Sequence, residues 1–296
     1  MQGCALHSNL FYFISLKGSQ TLMHFRTPSF VEVDGRKLAY NEVNPANPRG
    51  TILLLTGLGA KRYGWYYQLD EFGRYYRTIA LDHRDISDSD PYEEAYIVAD
   101  LADDAAAGLR GLGVQRAHVI GISLGGFVAL HFAIRHPDQL EKLVLISTSA
   151  GGATHVQPGQ EIAALLAPGS REHIEPGELA KRNYSIITGP GFAEKHPQEI
   201  DNFAEIARYR PVHRDAYVRQ LQAGMGHDAT QQLEQIKAPT LVIHGDADPL
   251  VPPGNGDYLA QHIPGAKHIV YHNVGHIPIV EHPDQFNSDV LAFLES

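Results

Sequence analysis

One cysteine, Cys4, is all that the 296 residues contain, so no internal disulfide can form and no cysteine cluster could hold a metal. No apolar run approaches the ~20 residues that a membrane-spanning helix needs. Cations are scarce: 24 Lys and Arg stand against 34 Asp and Glu, a formal net charge of −10. A phosphate backbone or an anionic lipid surface would be repelled, which removes nucleic acid from the expected partners. Internal repeats and low-complexity tracts are absent as well. Near the start, LFYFISL (Leu10 to Leu16) is a short apolar core, but no basic residue precedes it and no small-x-small site follows. A cytoplasmic location is therefore expected ahead of secretion. Residues 1–22 read as a dispensable extension or an overlong start, with a more usual opening at Met23, and residues 1–28 are expected to be poorly packed.

What the chain does have is the apolar content of a globular protein, 43% hydrophobic with 20% charged. From Phe30, FVEVDGRKLAYNEV alternates apolar and polar residues around Asp34-Gly35, the mark of a hairpin. Short apolar runs follow at 51–55, 78–81, 118–120, 142–147, 240–245 and 268–272. Their length and β-branched content suit parallel strands covered on both faces. Helical patterns lie between them, over Ile97 to Leu112 and where Phe127, Leu130 and Ile134 form one apolar face before Pro137. This alternation predicts a mostly parallel, doubly wound α/β sheet. It stops between Ser149 and Lys237, where Gly and Pro breaks separate helical pieces such as Gln198 to Arg208 and His213 to Ala223. The expected organisation is a core of residues 29–149 and 238–296, with a helical cap of residues 150–237 inserted between strands 6 and 7.

The chemistry centres on Gly121-Ile122-Ser123-Leu124-Gly125, a G-x-S-x-G pattern after the strand HVI and before a helix. Residues two before and two after the serine crowd each other in such a turn. Glycine at both places lets Ser123 adopt a strained conformation with its hydroxyl projecting. A serine hydroxyl is a poor nucleophile near neutral pH, so a base must take its proton. Of 17 histidines, His276 in YHNVGHIPIVEHP stands out, because it follows a strand and precedes the last helix; His272 and His282 are the alternatives. His268, His272 and His276 have a spacing that would suit metal ligands on a helix, but they read as strand and loop, so neither metal nor cofactor is expected. The acid that orients the base lies in GDADPLVPP after TLVI: Asp248, held rigid by Pro249, is favoured over Asp246, which reads as a turn-former.

With G-I-S-L-G-G, G-D-A-D-P-L-V-P and N-V-G-H-I-P in this order, the chain from about Phe30 onward resembles the α/β-hydrolase superfamily. Within it, the esterase and lipase-like group is most similar, including polyketide methylesterases and 3-oxoadipate enol-lactonases. The resemblance implies a catalytic triad of Ser123, Asp248 and His276, and an oxyanion hole made by the backbone N–H groups of Leu58 and Leu124. Two departures are visible. Thr56-Gly57-Leu58-Gly59 replaces the usual His-Gly start, which leaves a backbone donor intact. Asp82-His83-Arg84-Asp85-Ile86-Ser87-Asp88-Ser89 replaces D-x-R-G-x-G-x-S, a stiffer and more acidic loop. The expected activity is carboxylic ester hydrolysis through an acyl-enzyme, acting on a small to medium apolar small-molecule ester. Enol-lactone or vinylogous C–C hydrolysis is the alternative, and a non-catalytic ligand-binding module the remote one. Trp65, Ile186 and Phe192 are expected in the substrate pocket. Arg84 and Arg208 could hold a substrate carboxylate or serve as structural ion pairs. Monomer and homodimer both stay open.

Overall fold

A computed structural model describes residues 25–296. The chain opens on β1 (Ser29–Val33) and β2 (Arg36–Val43), the expected hairpin, with Asp34 and Gly35 both at positive φ in its turn. There follow β3 (Thr51–Leu55), α1 (Tyr66–Phe72), β4 (Arg77–Leu81), α2 (Val98–Gly111), β5 (Ala117–Ile122), α3 (Leu124–Arg135) and β6 (Leu140–Ile146). The sheet has eight strands in the order β1-β2-β4-β3-β5-β6-β7-β8, where β7 is Thr240–Gly245 and β8 is Lys267–Tyr271. β2 is antiparallel to both β1 and β4, and every other pairing is parallel.

The central strands are apolar throughout because both their faces are covered. Side chains alternate across a strand, so Leu53 and Leu55 of β3 join one core while Ile52 and Leu54 join the other. On the first face lie Leu101 and Leu109 of α2, Val128 and Phe132 of α3, and Leu259 from beyond β7. On the second lie Phe72 of α1 and Phe286, whose rings sit 6.5 Å apart and are both fully buried. Removing such a ring from water contributes about 1.5–3 kcal/mol. The doubly wound sheet expected from the alternating pattern is the one observed.

Between β6 and β7 the chain is helical: α4 (Gln160–Leu166), α5 (Pro176–Ile187), α6 (Phe192–Lys195), α7 (Pro197–Arg208) and α8 (Arg214–Met225). α5 and α7 pack together, with Tyr184 stacked on Phe203 at 3.7 Å between ring centroids. Pro176 and Pro197 are not breaks within this segment but first residues of helices, where a missing N–H is not missed. After β7 come α9 (Gly254–His262), then β8, α10 (Pro278–Glu281) and α11 (Pro283–Glu295).

Residues 1–22, with their apolar LFYFISL core, lie outside the described residues. The expectation of a poorly packed segment reaching residue 28 is corrected at its end. Phe25 stacks on Tyr209 at 4.5 Å and meets Tyr63 edge-on at 4.9 Å. The carbonyls of Arg26 and Thr27 accept hydrogen bonds from Tyr63 Oη and Asn41 Nδ2, each at 2.9 Å.

Candidate active site

Ser123 closes β5 and opens α3 with φ 56° and ψ −122°, a conformation that most L residues avoid. The turn tolerates no side chain at its flanks. A Cβ on Gly121 would come within 2.1 Å of Gly125 O, and one on Gly125 within 2.2 Å of Leu55 O. The bend is pinned from outside as well: Ser123 N donates to Ile146 O at 2.9 Å, and Thr148 Oγ1 donates to Ser123 O at 2.8 Å. Ser123 Oγ forms no hydrogen bond among the described residues and lies on the wall of a large cavity.

His276 lines that same cavity and is 5% exposed. It sits in the loop after β8, and its Nδ1 is 2.8 Å from Asp248 Oδ2. A carboxylate accepts only, so Nδ1 carries the proton and Nε2 is left as the basic nitrogen. Asp248 is held in turn: its Oδ1 accepts the N–H groups of Leu250 and Val251, both at 2.9 Å. Burial by itself would raise the Asp248 carboxyl, but His276 and His244 beside it win, and hold it down to about 2. It is therefore a carboxylate at any ordinary pH. The competing residues lie elsewhere. Asp246 accepts from Asn273 N at 2.7 Å and pairs with exposed His272 at 2.9 Å, while His282 precedes α11. The structure thus brings His276 to Asp248, and His272 to Asp246.

The loop after β3 passes close to the serine: a Cβ on Gly57 would be 3.3 Å from Ser123 Cβ. Among the described residues neither Leu58 N–H nor Leu124 N–H has a hydrogen-bond partner, and both residues line the cavity. Two helices of the insertion hold this loop. Gly59 N donates to Gln220 Oε1 at 2.6 Å. Lys61 Nζ donates to the carbonyls of Ile206 at 2.6 Å and Ala207 at 3.1 Å, and to that of Tyr209, at the C-terminal end of α7. These are acceptors that a helix end leaves unsatisfied. Burial pushes the Lys61 ammonium down to about 8.

Residues 50–283 match the family model described as the alpha/beta hydrolase fold. The chain belongs to the α/β-hydrolase family. Among curated relatives, the poly(3-hydroxyalkanoate) depolymerase of Ectopseudomonas oleovorans is 30% identical over 92% of this chain and 92% of that one. The 2-hydroxy-6-oxononadienedioate/2-hydroxy-6-oxononatrienedioate hydrolase of Paraburkholderia phymatum is 31% identical, over 87% of this chain and 91% of that one. The solved enol-lactonase of Burkholderia xenovorans LB400 superposes with a TM-score of 0.80 at 24% identity, covering 90% of this chain and 100% of that one, and speaks for the fold alone. The chain is a hydrolase.

In this α/β-hydrolase the cavity measures about 860 Å³. Its walls combine core residues such as Trp65 and Ile122 with Leu165, Leu179, Ile187 and Phe203 of the insertion. Trp65 lines this cavity, whereas Ile186 and Phe192 do not. Ile186 is 39% exposed, and its neighbour Ile187 takes the inward position at the end of α5. Phe192 turns into the packed core and stacks on His196 at 4.7 Å. Arg84 and Arg208 are ion-paired: Arg84 with Asp104, at 2.5 and 2.6 Å, and Arg208 with Glu175, Glu178 and Glu205. The sequence reading missed Arg171, which lines the cavity with its guanidinium 4.0 Å from the Tyr217 ring centroid. No carboxylate pairs with it among the described residues. It also missed Lys61, Gln220 and Glu281.

Proposed function

We propose that this hydrolase cleaves carboxylic esters with apolar acyl groups through a Ser123 acyl-enzyme. The observation that carries the reading is the 2.8 Å Asp248–His276 pair on the wall of the cavity that Ser123, on its strained turn, also lines. Ser123 Oγ attacks the ester carbonyl carbon while His276 Nε2 accepts the hydroxyl proton. The carbonyl oxygen, now an anion, is received by the N–H groups of Leu58 and Leu124; one such donor is typically worth ~10²–10³ in rate. When the intermediate collapses, the C–O bond to the alcohol breaks and His276 passes its proton to that oxygen. Water then attacks the acyl-enzyme with His276 again as base, releasing the acid and free Ser123. A cavity of about 860 Å³ with mainly apolar walls favours a medium-sized apolar acyl group, and one relative is named a poly(3-hydroxyalkanoate) depolymerase. A fluorophosphonate probe tests the reading: it is expected to label Ser123 in the folded protein, and absence of labelling would favour a ligand-binding module.

One observation favours a second substrate class, a lactone or C–C substrate that carries a carboxylate. Arg171 is a cavity-lining cation with no carboxylate partner among the described residues, free of the backbone carbonyls that hold Lys61, and a relative's name describes a dioate substrate. A charge-assisted hydrogen bond contributes about 1.5–3 kcal/mol, so Arg171→Gln is expected to raise KM roughly tenfold to a hundredfold for half-esters of dicarboxylic acids. Neutral esters of equal length serve as the control. Equal effects on both would leave the simple ester reading alone.

A further inference from the structure

Glu281, at the end of α10, is a buried acid that the triad does not use. Its Oε1 accepts Ile277 N–H at 3.0 Å, and its Oε2 accepts Gly275 N–H at 3.0 Å. Those are the residues on either side of His276. Oε2 also accepts Gly189 N–H at 2.7 Å, from the segment of the insertion that joins α5 to α6. No cation pairs with this carboxylate among the described residues, so three converging N–H dipoles serve as its counter-charge. The amide between them is held too, since His276 N donates to Ile187 O at 2.8 Å. Three successive amides, 275 to 277, therefore have fixed partners, and each partner belongs to Glu281 or to the end of α5. The two segments touch directly: a Cβ on Gly275 would lie 2.3 Å from Ile187 O.

We propose that Glu281 is a positioning residue, which sets the His276 loop against Gly189 so that the insertion and the base keep one register. This rests on His276 being the base. A base displaced by ~1 Å can cost ~10² in rate. Glu281→Gln keeps the shape but turns an NH₂ toward backbone N–H donors, so some of the three contacts are lost. The expected result is a kcat lower by roughly 10²-fold for nitrophenyl butyrate with KM changed by less than about threefold, the pattern of a transition-state defect.

A wild-type kcat in folded Glu281→Gln would overturn the proposal.

Should that variant fail to fold, hydrogen exchange on the wild-type protein decides. The amides of Gly189, Gly275 and Ile277 are expected to exchange together, and unrelated rates would overturn the coupling. The exchange result does not depend on the chemistry, whereas full turnover in a Ser123→Ala variant would sink the ester reading and leave the exchange result standing.

Discussion

Ser123→Ala lowers ester turnover by about 10⁴-fold or more without unfolding the protein. The expectation rests on separable features of the turn. Gly121 and Gly125 create the space, and Ile146 O and the Thr148 hydroxyl pin the backbone of residue 123. None of them hydrogen-bonds the serine hydroxyl, so alanine inherits the φ of 56° and removes only the proposed nucleophile. A residual rate above solution hydrolysis should survive, because the proposed oxyanion donors, the N–H groups of Leu58 and Leu124, and the apolar cavity are left in place. Such remnants amount to ~10³–10⁴ over water in serine hydrolases. The measurement is turnover of ester, lactone and C–C substrates by wild type and variant together, with thermal melting as the control for folding. Undiminished turnover with an unchanged melt would end the acyl-enzyme reading.

The insertion is fastened to the reactive elements rather than resting over them. Gln220 and the end of α7 hold the loop of Leu58 through Gly59 and Lys61, and Gly189 shares Glu281 with the loop of His276. Movement of α7 or α8 would disturb the proposed oxyanion donors, and movement of the α5–α6 segment would disturb the proposed base, His276. Under the proposed ester reading, walls fixed in this way would select substrates by shape already present, so substitutions at Leu165, Leu179, Ile187 and Phe203 are expected to alter acyl preference.

The strands were legible because burial on both faces writes unbroken apolar runs, and TILLL and TLVIHG match β3 and β7 to the residue. The insertion was less so. Pro176-Gly177 resembles a break, yet Glu175 caps α5 by accepting Glu178 N–H at 3.0 Å, and Pro176 sits at its first position. With the helix boundary hidden, its phase was hidden too. Adjacent residues on a helix point about 100° apart, so Ile186 and Ile187 could not be told apart as outward and inward. Asp248 was separable from Asp246 through the stiffness that Pro249 lends its loop. Lys61, Gln220 and Glu281 left no such trace. Each bonds to backbone atoms 145, 161 and 92 residues away, and a backbone acceptor or donor has no side-chain signature to find.

Asp248→Asn is expected to lower kcat by about 10⁴-fold at neutral pH, less than the ~10⁵–10⁶ expected for His276→Ala. The asparagine oxygen would remain on the N–H groups of Leu250 and Val251, since both bond the same Oδ1 at 2.9 Å. Its NH₂ would then face His276 Nδ1, which must become an acceptor. The imidazole proton moves to Nε2, the nitrogen that should take the proton of Ser123, so the ring keeps its place but loses its function. The reverse ranking of the two variants would point to another acid. Stability gives an independent check. The Asp248 carboxyl lies at about 2, below its ordinary 3.8, so its charge stabilises the fold above about pH 4, and that contribution is lost as pH falls through 2. Urea unfolding should therefore show the wild-type advantage over Asp248→Asn narrowing from pH 4 downward; a gap that widens there would mean that Asp248 is not held as a carboxylate by its histidines.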